Sequence, residues 1–366
     1  MDLQRRQSLL WPPTALAWAA ALRAGQALGQ IAPGMEQIEA AARKEAWLHS
    51  AGMPNYWANW EASWADLKRL YGLQHRDWDL TSAESLDRME AEGRSGSLDL
   101  ADVGFEYGAM ARGRGISRPH KPSHWAQIPD WAKDSEGYWA LAYTGTVAFL
   151  INTRRLDDRG VPRSWAELFE RGHKVLVGEV GSSALASAGI LAAAIALGGH
   201  EQDLKPALER FARLAAKGLL STQSPSQGRV EAGVADVYIT WDFLALAMRE
   251  RLSRPRDFEV LIPSDGSVTS GYTTLINKHA PHPNAALLTR EYIFSDAGQT
   301  NLARGYARPI RIDQLKLPPA VSQALLDPAQ YRKARAVKAF VWAWEAKKLA
   351  QSWAKDVLSQ AAPAPR

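Results

Sequence analysis

The sequence predicts an α/β protein of two lobes, each a mixed, mainly parallel sheet flanked by helices, with a ligand cleft between the lobes. The chain of 366 residues is long enough for two separate cores. Strand and helix patterns alternate between residues 47 and 105, which favours parallel strands joined by crossover helices. The stretch 139–153 contains two strand-like apolar runs around the polar joint 144–146, which suits a hinge.

The first part of the chain reads as β-α-β-α-β with an amino-terminal helix. Its predicted elements are helix 36–44, strand 47–51, helix 57–71, strand 73–80, helix 82–92 and strand 98–105. Helix 57–71 carries an apolar face at spacings of three and four residues: Trp57, Trp60, Trp64, Leu67 and Tyr71. Thr81 and Glu84 form a capping box before helix 82–92. Residues 108–138 are turn-rich, and no regular structure is predicted there.

The rest of the chain continues the alternation. The predicted strands are 139–143, 147–151, 174–180, 235–240, 258–263 and 268–277. The predicted helices begin at Ser164, 181–183, Asp203, Pro225, Phe243, Asn284 and Asp296, and one long helix covers 331–359. With 268–277 as the return crossing, lobe 1 comprises residues 30–144 and 268–366, including the carboxyl-terminal helices, and lobe 2 comprises 145–267.

The amino terminus and the composition indicate an exported protein. Residues 1–29 have Arg5 and Arg6 before an apolar run and small residues at its end, which is typical of a cleaved, twin-arginine-like signal peptide. The absence of cysteine excludes disulfides, thiolate metal sites and a lipoprotein anchor. A net charge of +5 is too small to imply nucleic acid. We therefore expect a periplasmic, soluble, unanchored protein that is a monomer and has no cofactor.

Several stretches resemble one family. The segment 143–149, followed by Asn152 and Thr153, is similar to the first interlobe crossing of the type 2 periplasmic solute-binding proteins that serve ABC importers. Four more stretches, 101–104, 174–178, 227–233 and 281–286, are similar to the iron, polyamine, thiamine and phosphonate branch of that family. The resemblance implies a binding protein rather than an enzyme. Its partners would be a small solute and an ABC permease in the inner membrane.

Candidate ligand-binding residues follow from where strands and helices end. In such sheets ligands lie beyond the carboxyl ends of the strands, and helix amino termini attract anions. Asp242 stands beside an indole at a predicted strand end, where a cation could bind, although it equally suits a helix cap. Ser182 and Ser183 begin a helix whose amino terminus could bind an anion, although they equally suit simple N-capping. The candidates are Trp57, Ser82, Phe105, Thr144, Ser182, Ser183, Trp241, Asp242 and Tyr272.

Other chemistries have less support in the sequence. His120 and His124 are separated by Pro122, which argues against a helical metal site, and no metal ligand is assigned. The chain has no hydrolase motif in a suitable setting. Iron-binding members of the family carry adjacent tyrosines where this chain has Trp241 and Asp242. The expected solute is thiamine or its phosphate, a phosphonate or a polyamine; ferric iron, a secreted hydrolase and a partner that presents solute to a sensor are the alternatives.

Overall fold

A computed structural model describes residues 34–361 of the chain. The predicted signal peptide therefore lies outside the described residues. Among the residues described, no helix combines the length and the apolar character needed to cross a membrane.

Twelve strands and thirteen α-helices make up the described fold. The strands are β1 (Trp47–Ala51), β2 (Gln74–Trp78), β3 (Leu100–Gly104), β4 (Ser117–Arg118), β5 (Ala140–Asn152), β6 (Val175–Leu176), β7 (Leu220–Ser221), β8 (Val237–Trp241), β9 (Phe258–Leu261), β10 (Ser267–Asn277), β11 (Arg308–Pro309) and β12 (Ala334–Ala336). The helices are α1 (Met35–Glu45), α2 (Trp60–Tyr71), α3 (Ser82–Glu92), α4 (Phe105–Gly113), α5 (Trp165–Glu170), α6 (Ala184–Ala196), α7 (Lys205–Ala216), α8 (Gln227–Glu231), α9 (Asp242–Arg251), α10 (Pro283–Phe294), α11 (Asp296–Arg304), α12 (Pro319–Gln323) and α13 (Ala339–Asp356).

The strands form two sheets that share β5. In the first sheet, β1 pairs in parallel with β2 and β3, and β10 lies antiparallel between β3 and β5. In the second sheet, β8 and β9 pair antiparallel with β5, and β6 pairs in parallel with β8 and β7. The parallel strands β1, β2 and β3 alternate with α2 and α3, as the sequence pattern predicts. This two-lobed α/β architecture confirms the predicted fold class.

The link between the sheets differs from the prediction. β5 is one continuous strand, buried along its length, that pairs with β10 up to Thr146 and with β8 from Val147. The prediction of two strands with a flexible joint at 144–146 is therefore wrong. The two threonines favour extended backbone, and a Cβ at Gly145 would lie 2.6 Å from Cε1 of Phe243. Glycine is needed here for close packing rather than for flexibility.

Three other local predictions are wrong. Phe105 begins α4, whereas the sequence suggested that the strand continues to this residue and that irregular chain follows. His282, not Asn284, is the residue before α10, because Pro283 occupies the first helical position. The last helix starts at Ala339 rather than at 331, since residues 334–336 extend as β12 beside β10.

The carboxyl-terminal segment contacts elements of both sheets. On the first-sheet side, α13 packs against α4, which follows β3. On the second-sheet side, Trp353 of α13 packs against Phe211 of α7, with ring centroids 5.5 Å apart. Gly181 lies so close to the same helix that a Cβ would be 2.4 Å from the Cβ of Ala350. The helix therefore bridges the two halves of the molecule.

Candidate functional site

A cavity of about 590 Å³ opens between the carboxyl ends of the first-sheet strands and elements of the second sheet. Residues on the first-sheet side include Tyr56, Trp57, Asp79, Ser82, Asp102 and Tyr272. Residues on the second-sheet side include Glu179, Ser183, Ser224, Ser226, Gln227 and Arg251. The volume falls in the range of small-molecule sites. A ligand held there would touch both halves of the protein.

Aromatic side chains form the floor of the cavity. Trp57 donates its indole N–H to the hydroxyl of Tyr143 at 2.6 Å, and that hydroxyl donates to Oδ2 of Asp102 at 2.6 Å. The Trp57 ring also meets Tyr272 edge-on, with centroids 5.2 Å apart, and meets Phe243 of α9 at 5.5 Å. Trp57 thus connects a first-sheet loop to a second-sheet helix, and its hydrogen bond fixes the orientation of the indole.

The start of α3 lies at the cavity wall. Thr81 Oγ1 accepts a hydrogen bond from the Glu84 amide, and the Glu84 carboxylate accepts one from the Thr81 amide at 2.8 Å. This is the predicted capping box, which the structure confirms. Ser82 Oγ accepts a hydrogen bond from the Gly104 amide at 2.9 Å, which ties α3 to the end of β3.

Replacing Thr81 with alanine should lower the free energy of unfolding by about 1 kcal/mol, because the helix loses the side-chain cap. Urea unfolding of the purified protein measures this loss. Ser322, an exposed serine in α12, is the control, and its change to alanine should have an effect within about 0.5 kcal/mol. Equal effects of the two variants would contradict a stabilising role for the capping box.

The second-sheet wall combines a helix start with a carboxylate. Ser183 Oγ accepts a hydrogen bond from the Ala186 amide at 3.3 Å and so caps α6. Glu179 Oε1 accepts a hydrogen bond from the Ser224 hydroxyl at 3.2 Å. The serine-led helix start predicted from the sequence is therefore present, but a carboxylate stands close to it. An anionic ligand group at this helix end would approach that negative charge.

The charges that line the cavity are mainly negative. Asp79, Asp102 and Glu179 are carboxylates, whereas Arg251 is the single lysine, arginine or histidine among the described lining residues. No ion pair within residues 34–361 involves the Arg251 guanidinium. Asp79 accepts a hydrogen bond from the Tyr56 hydroxyl at 3.0 Å, and burial raises the pKa of that phenol. The field inside the cavity therefore favours cations.

Four of the nine candidate residues line the cavity: Trp57, Ser82, Ser183 and Tyr272. The other five, Phe105, Thr144, Ser182, Trp241 and Asp242, do not line it. Phe105 is buried against Trp139, with ring centroids 5.6 Å apart, because it belongs to the base of α4. Thr144 is buried within β5, and Ser182 donates its hydroxyl to the Glu179 carbonyl.

Trp241 and Asp242 lie behind the wall rather than in it. Trp241 is 1% exposed and donates its indole N–H to the Tyr272 hydroxyl at 3.0 Å, so it supports a lining residue. Asp242 Oδ1 accepts hydrogen bonds from the amides of Thr146 and Phe243, both at 2.9 Å, and Oδ2 accepts a hydrogen bond from the Tyr331 hydroxyl. Burial raises the pKa of Asp242 to about 6. These bonds join α9, β5 and the carboxyl-terminal segment.

The sequence reasoning missed several polar lining residues. Asp102 lies near the end of β3, within the stretch 101–104 that carries the family resemblance. Glu179 lies just after the stretch 174–178, which carries the same resemblance. Asp102 stands in an otherwise apolar strand, and this break in the pattern is the signal that marks it. Tyr56, Asp79 and Arg251 carry no comparable signal, because their position depends on loop geometry and on the packing of α9.

One group of potential metal ligands lies outside the cavity. Among the described residues, His49, Asp99 and His282 place one ligand atom each within 4.8 Å of one another. Asp99 Oδ1 accepts a hydrogen bond from the His282 amide at 2.6 Å. Its Oδ2 accepts hydrogen bonds from the His49 amide at 2.7 Å and from the His282 ring at 2.9 Å. These hydrogen bonds join β1 to the start of α10.

Comparison with known proteins identifies the family. Residues 100–336, more than half of the chain, match the family model for bacterial extracellular solute-binding proteins. No curated protein sequence matches the chain.

Solved structures with the same fold bind different ligands. The periplasmic binding protein AfuA from Actinobacillus pleuropneumoniae, with fructose-6-phosphate bound, has a TM-score of 0.69 at 18% identity, covering 85% of this chain and 98% of that one. The Atu4243 GABA receptor has a TM-score of 0.66 at 18% identity, covering 87% and 99%. Apo ferric ion-binding protein A of Pasteurella haemolytica has a TM-score of 0.68 at 15% identity, covering 87% and 100%. The chain therefore belongs to the bacterial extracellular solute-binding proteins and has the two-lobed, type 2 fold of those that serve ABC importers.

Proposed function

We propose that this protein captures a small, charged organic solute in the cavity, by closure of its two lobes, and delivers it to an ABC permease in the inner membrane. The observation that carries the proposal is the cavity of about 590 Å³, which is lined by both halves of the molecule. A binding protein that closes needs contacts from both lobes, because closure is driven only by the extra affinity of the closed form.

The domain boundaries belong to this proposal. Lobe 1 would comprise residues 30–144 and 268–366, and lobe 2 residues 145–267, with β5 crossing between them. The change of pairing partner in β5, from β10 to β8 after Thr146, supports a boundary near residue 145. The protein would act without catalysing a reaction, as a monomer in the periplasm, and without a lipid anchor because the chain has no cysteine.

The expected solutes remain thiamine or thiamine phosphate, a phosphonate or a polyamine. Rings such as Trp57 and Tyr272 would suit an aromatic or a cationic ligand. Ferric iron is the second candidate, because proteins with the same fold bind it and because Tyr56, Asp79 and Glu179 provide oxygen ligands. Against iron, the one cluster of three histidine, aspartate or glutamate ligand atoms found within residues 34–361 lies outside the cavity.

A panel of solutes should contain one that stabilises the protein against heat. A solute present at a hundred times its Kd stabilises the folded protein by about 2.7 kcal/mol, which a thermal melt detects readily. The panel contains thiamine, thiamine phosphate, 2-aminoethylphosphonate, putrescine and ferric citrate, with sodium citrate as the control for the last. Ferric citrate as the sole stabilising compound would favour the iron alternative.

The tryptophan at the cavity provides a second measurement. A true ligand should also change the fluorescence of Trp57, and the Trp57→Phe variant should lose that part of the signal, since the ring lines the cavity. A solute that stabilises the protein yet leaves the Trp57 signal unchanged binds elsewhere, and this result would contradict the proposed site. Incubation of the solute with protein, followed by product analysis, tests for catalysis.

A further inference from the structure

Asp102 is a buried carboxylate in the wall of the cavity. It lies near the carboxyl end of β3, lines the cavity and is 2% exposed. Its Oδ2 accepts a hydrogen bond from the hydroxyl of Tyr143, whereas Oδ1 has no hydrogen-bond partner among the described residues. Buried carboxylate oxygens are normally satisfied by donors or paired with cations, so a half-satisfied Asp102 needs an explanation.

Within residues 34–361, no lysine, arginine or histidine forms an ion pair with Asp102. The titratable groups that act on it are Asp77 of β2, Tyr143 of β5 and Tyr272 of β10, none of which is a base. Burial raises the pKa of Asp102 well above its usual value, although Tyr143 and the Trp60 indole act in the opposite direction. The Trp60 indole N–H lies near Asp102, but its geometry does not meet that of a hydrogen bond.

A second buried acidic side chain lies close to this region. Glu106, in the first turn of α4, is 3% exposed, and burial raises its pKa to about 7. Both Asp102 and Glu106 influence the pKa of Tyr272, a lining residue, so both carboxyl groups lie near the cavity floor. Two acidic groups without a cationic partner make this floor a place where an external cation is stabilised.

The aromatic floor suits an organic cation in particular. Trp57 and Tyr272 flank the region with ring centroids 5.2 Å apart, and aromatic faces attract ammonium groups. Arg251, on the opposite wall, is the cation that would meet an anionic end of the same molecule. A compound with an amine at one end can therefore be oriented across the cavity from the first-sheet side to the second.

We propose that the solute carries a protonated amine or another organic cation and that Asp102 binds this group. The inference rests on the proposed function and narrows it, since it excludes solutes that are only anionic. The cation supplies the hydrogen-bond partner that Oδ1 of Asp102 lacks within residues 34–361. Burial favours the protonated carboxyl of Asp102 in the free protein, whereas a bound cation favours the carboxylate, which then forms a charge-assisted hydrogen bond with it.

Matched pairs of compounds test the proposal. Thermal melts at pH 8 compare 4-aminobutanoate with butanoate and 2-aminoethylphosphonate with ethylphosphonate. Thiamine and putrescine are tested beside them as further cations, and fructose 6-phosphate as a solute that is only anionic. We expect stabilisation by at least one cationic compound and none by its amine-free partner. Stabilisation by amine-free compounds alone would overturn the inference and leave the proposed function standing. If no compound of this set or of the earlier panel stabilises the protein, the proposed function fails and the inference fails with it.

Two isosteric variants distinguish a direct role of Asp102 in binding from a general effect of losing a buried carboxylate nearby. Asp102→Asn should weaken the binding of the stabilising cation about thirtyfold or more, measured by calorimetry, because a buried charged pair is broken. Asp77→Asn is the control, since Asp77 also has an unpartnered carboxylate oxygen but does not line the cavity. We expect it to change the affinity less than threefold. Equal losses in the two variants, or no loss in Asp102→Asn, would overturn the inference.

The unliganded protein provides an independent measurement. A carboxyl whose pKa is raised on folding reduces stability as the pH rises from the unfolded pKa towards the folded one. Asp102→Asn removes this titration, so its melting temperature at pH 8 should exceed that of the wild type, with a smaller difference at pH 4. An unchanged or lower melting temperature at pH 8 would contradict an uncompensated charge at this position.

Discussion

Replacing Gly271 with alanine should destabilise the protein by about 3 kcal/mol, near the upper end of the usual cost of overpacking. Gly271 lies in β10 opposite Thr144 of β5, and a Cβ there would be 2.3 Å from the carbonyl oxygen of Tyr143. The obstacle is backbone in a central strand, which cannot rotate away as a side chain can. Urea unfolding at constant pH measures the loss.

The same substitution should also disturb the cavity. Tyr272 follows Gly271 directly, and the pairing of β10 with β5 shifts register just after it, between Tyr272 and Thr273. Gly113 at the end of α4 is the matched control, because no atom lies within 4 Å of the Cβ that alanine would add. Its alanine variant should stay within about 0.5 kcal/mol of the wild type. An unfolding midpoint for Gly271→Ala equal to this control would refute the packing argument.

Replacing Glu201 with alanine should cost about 2–3 kcal/mol and loosen the carboxyl-terminal segment. Glu201 is 2% exposed and accepts two hydrogen bonds from Arg335, both at 2.9 Å, and one from the Lys338 amide at 3.1 Å. Loss of one partner of a buried pair usually costs about 3–5 kcal/mol. We expect a smaller loss of stability here because the Arg335 side chain is 34% exposed and can be solvated by water when Glu201 is removed.

Limited proteolysis and unfolding together measure this effect. The segment from β12 into α13 should become cleavable in Glu201→Ala before the rest of the protein unfolds. Glu345→Ala is the control, because its pair with Lys348 on α13 is exposed and worth little. Uniform protease resistance in both variants would contradict an anchoring role for Glu201.

The pH dependence of this anchor follows from the pKa of Glu201. Burial acts to raise it, but the hydrogen bonds from Arg335 and from the Lys338 amide hold it below its usual value. A carboxyl whose pKa is lowered on folding stabilises the protein above its unfolded pKa and loses this contribution as the pH falls through the folded pKa. The wild-type segment should therefore become protease-sensitive as the pH falls below the usual pKa of a glutamate.

Local sequence signals predicted much of the fold. The capping box at Thr81 and Glu84 and the strands β1 to β3 follow from patterns within a few residues. Features that depend on distant neighbours could not be predicted in this way. The sequence gives no indication that β12 pairs with β10, which delays the start of the last helix to Ala339.

The candidate site shows the same difference between features that local sequence predicts and features that depend on distant residues. From the sequence alone, Asp102 and Asp242 are both acidic residues near strand ends, and the sequence analysis selects Asp242 as the ligand-binding candidate. In the folded chain Asp242 receives three hydrogen bonds, one of them from Tyr331, whereas Asp102 receives one, from Tyr143. The partners lie 89 and 41 residues away along the chain, so only the assembled structure distinguishes a saturated carboxylate from one that can bind a ligand.

The position of α13 has a practical consequence for following solute capture. This helix lies beyond residues 100–336, the region matched by the family model, yet it touches α4 on one side and α7 and Gly181 on the other. Trp344 of α13 is 60% exposed, so a dye coupled at that position need not disturb the interior. A dye at this position would report relative movement of the two halves without occupying the cavity. Helix α13 is therefore a suitable site for a biosensor label.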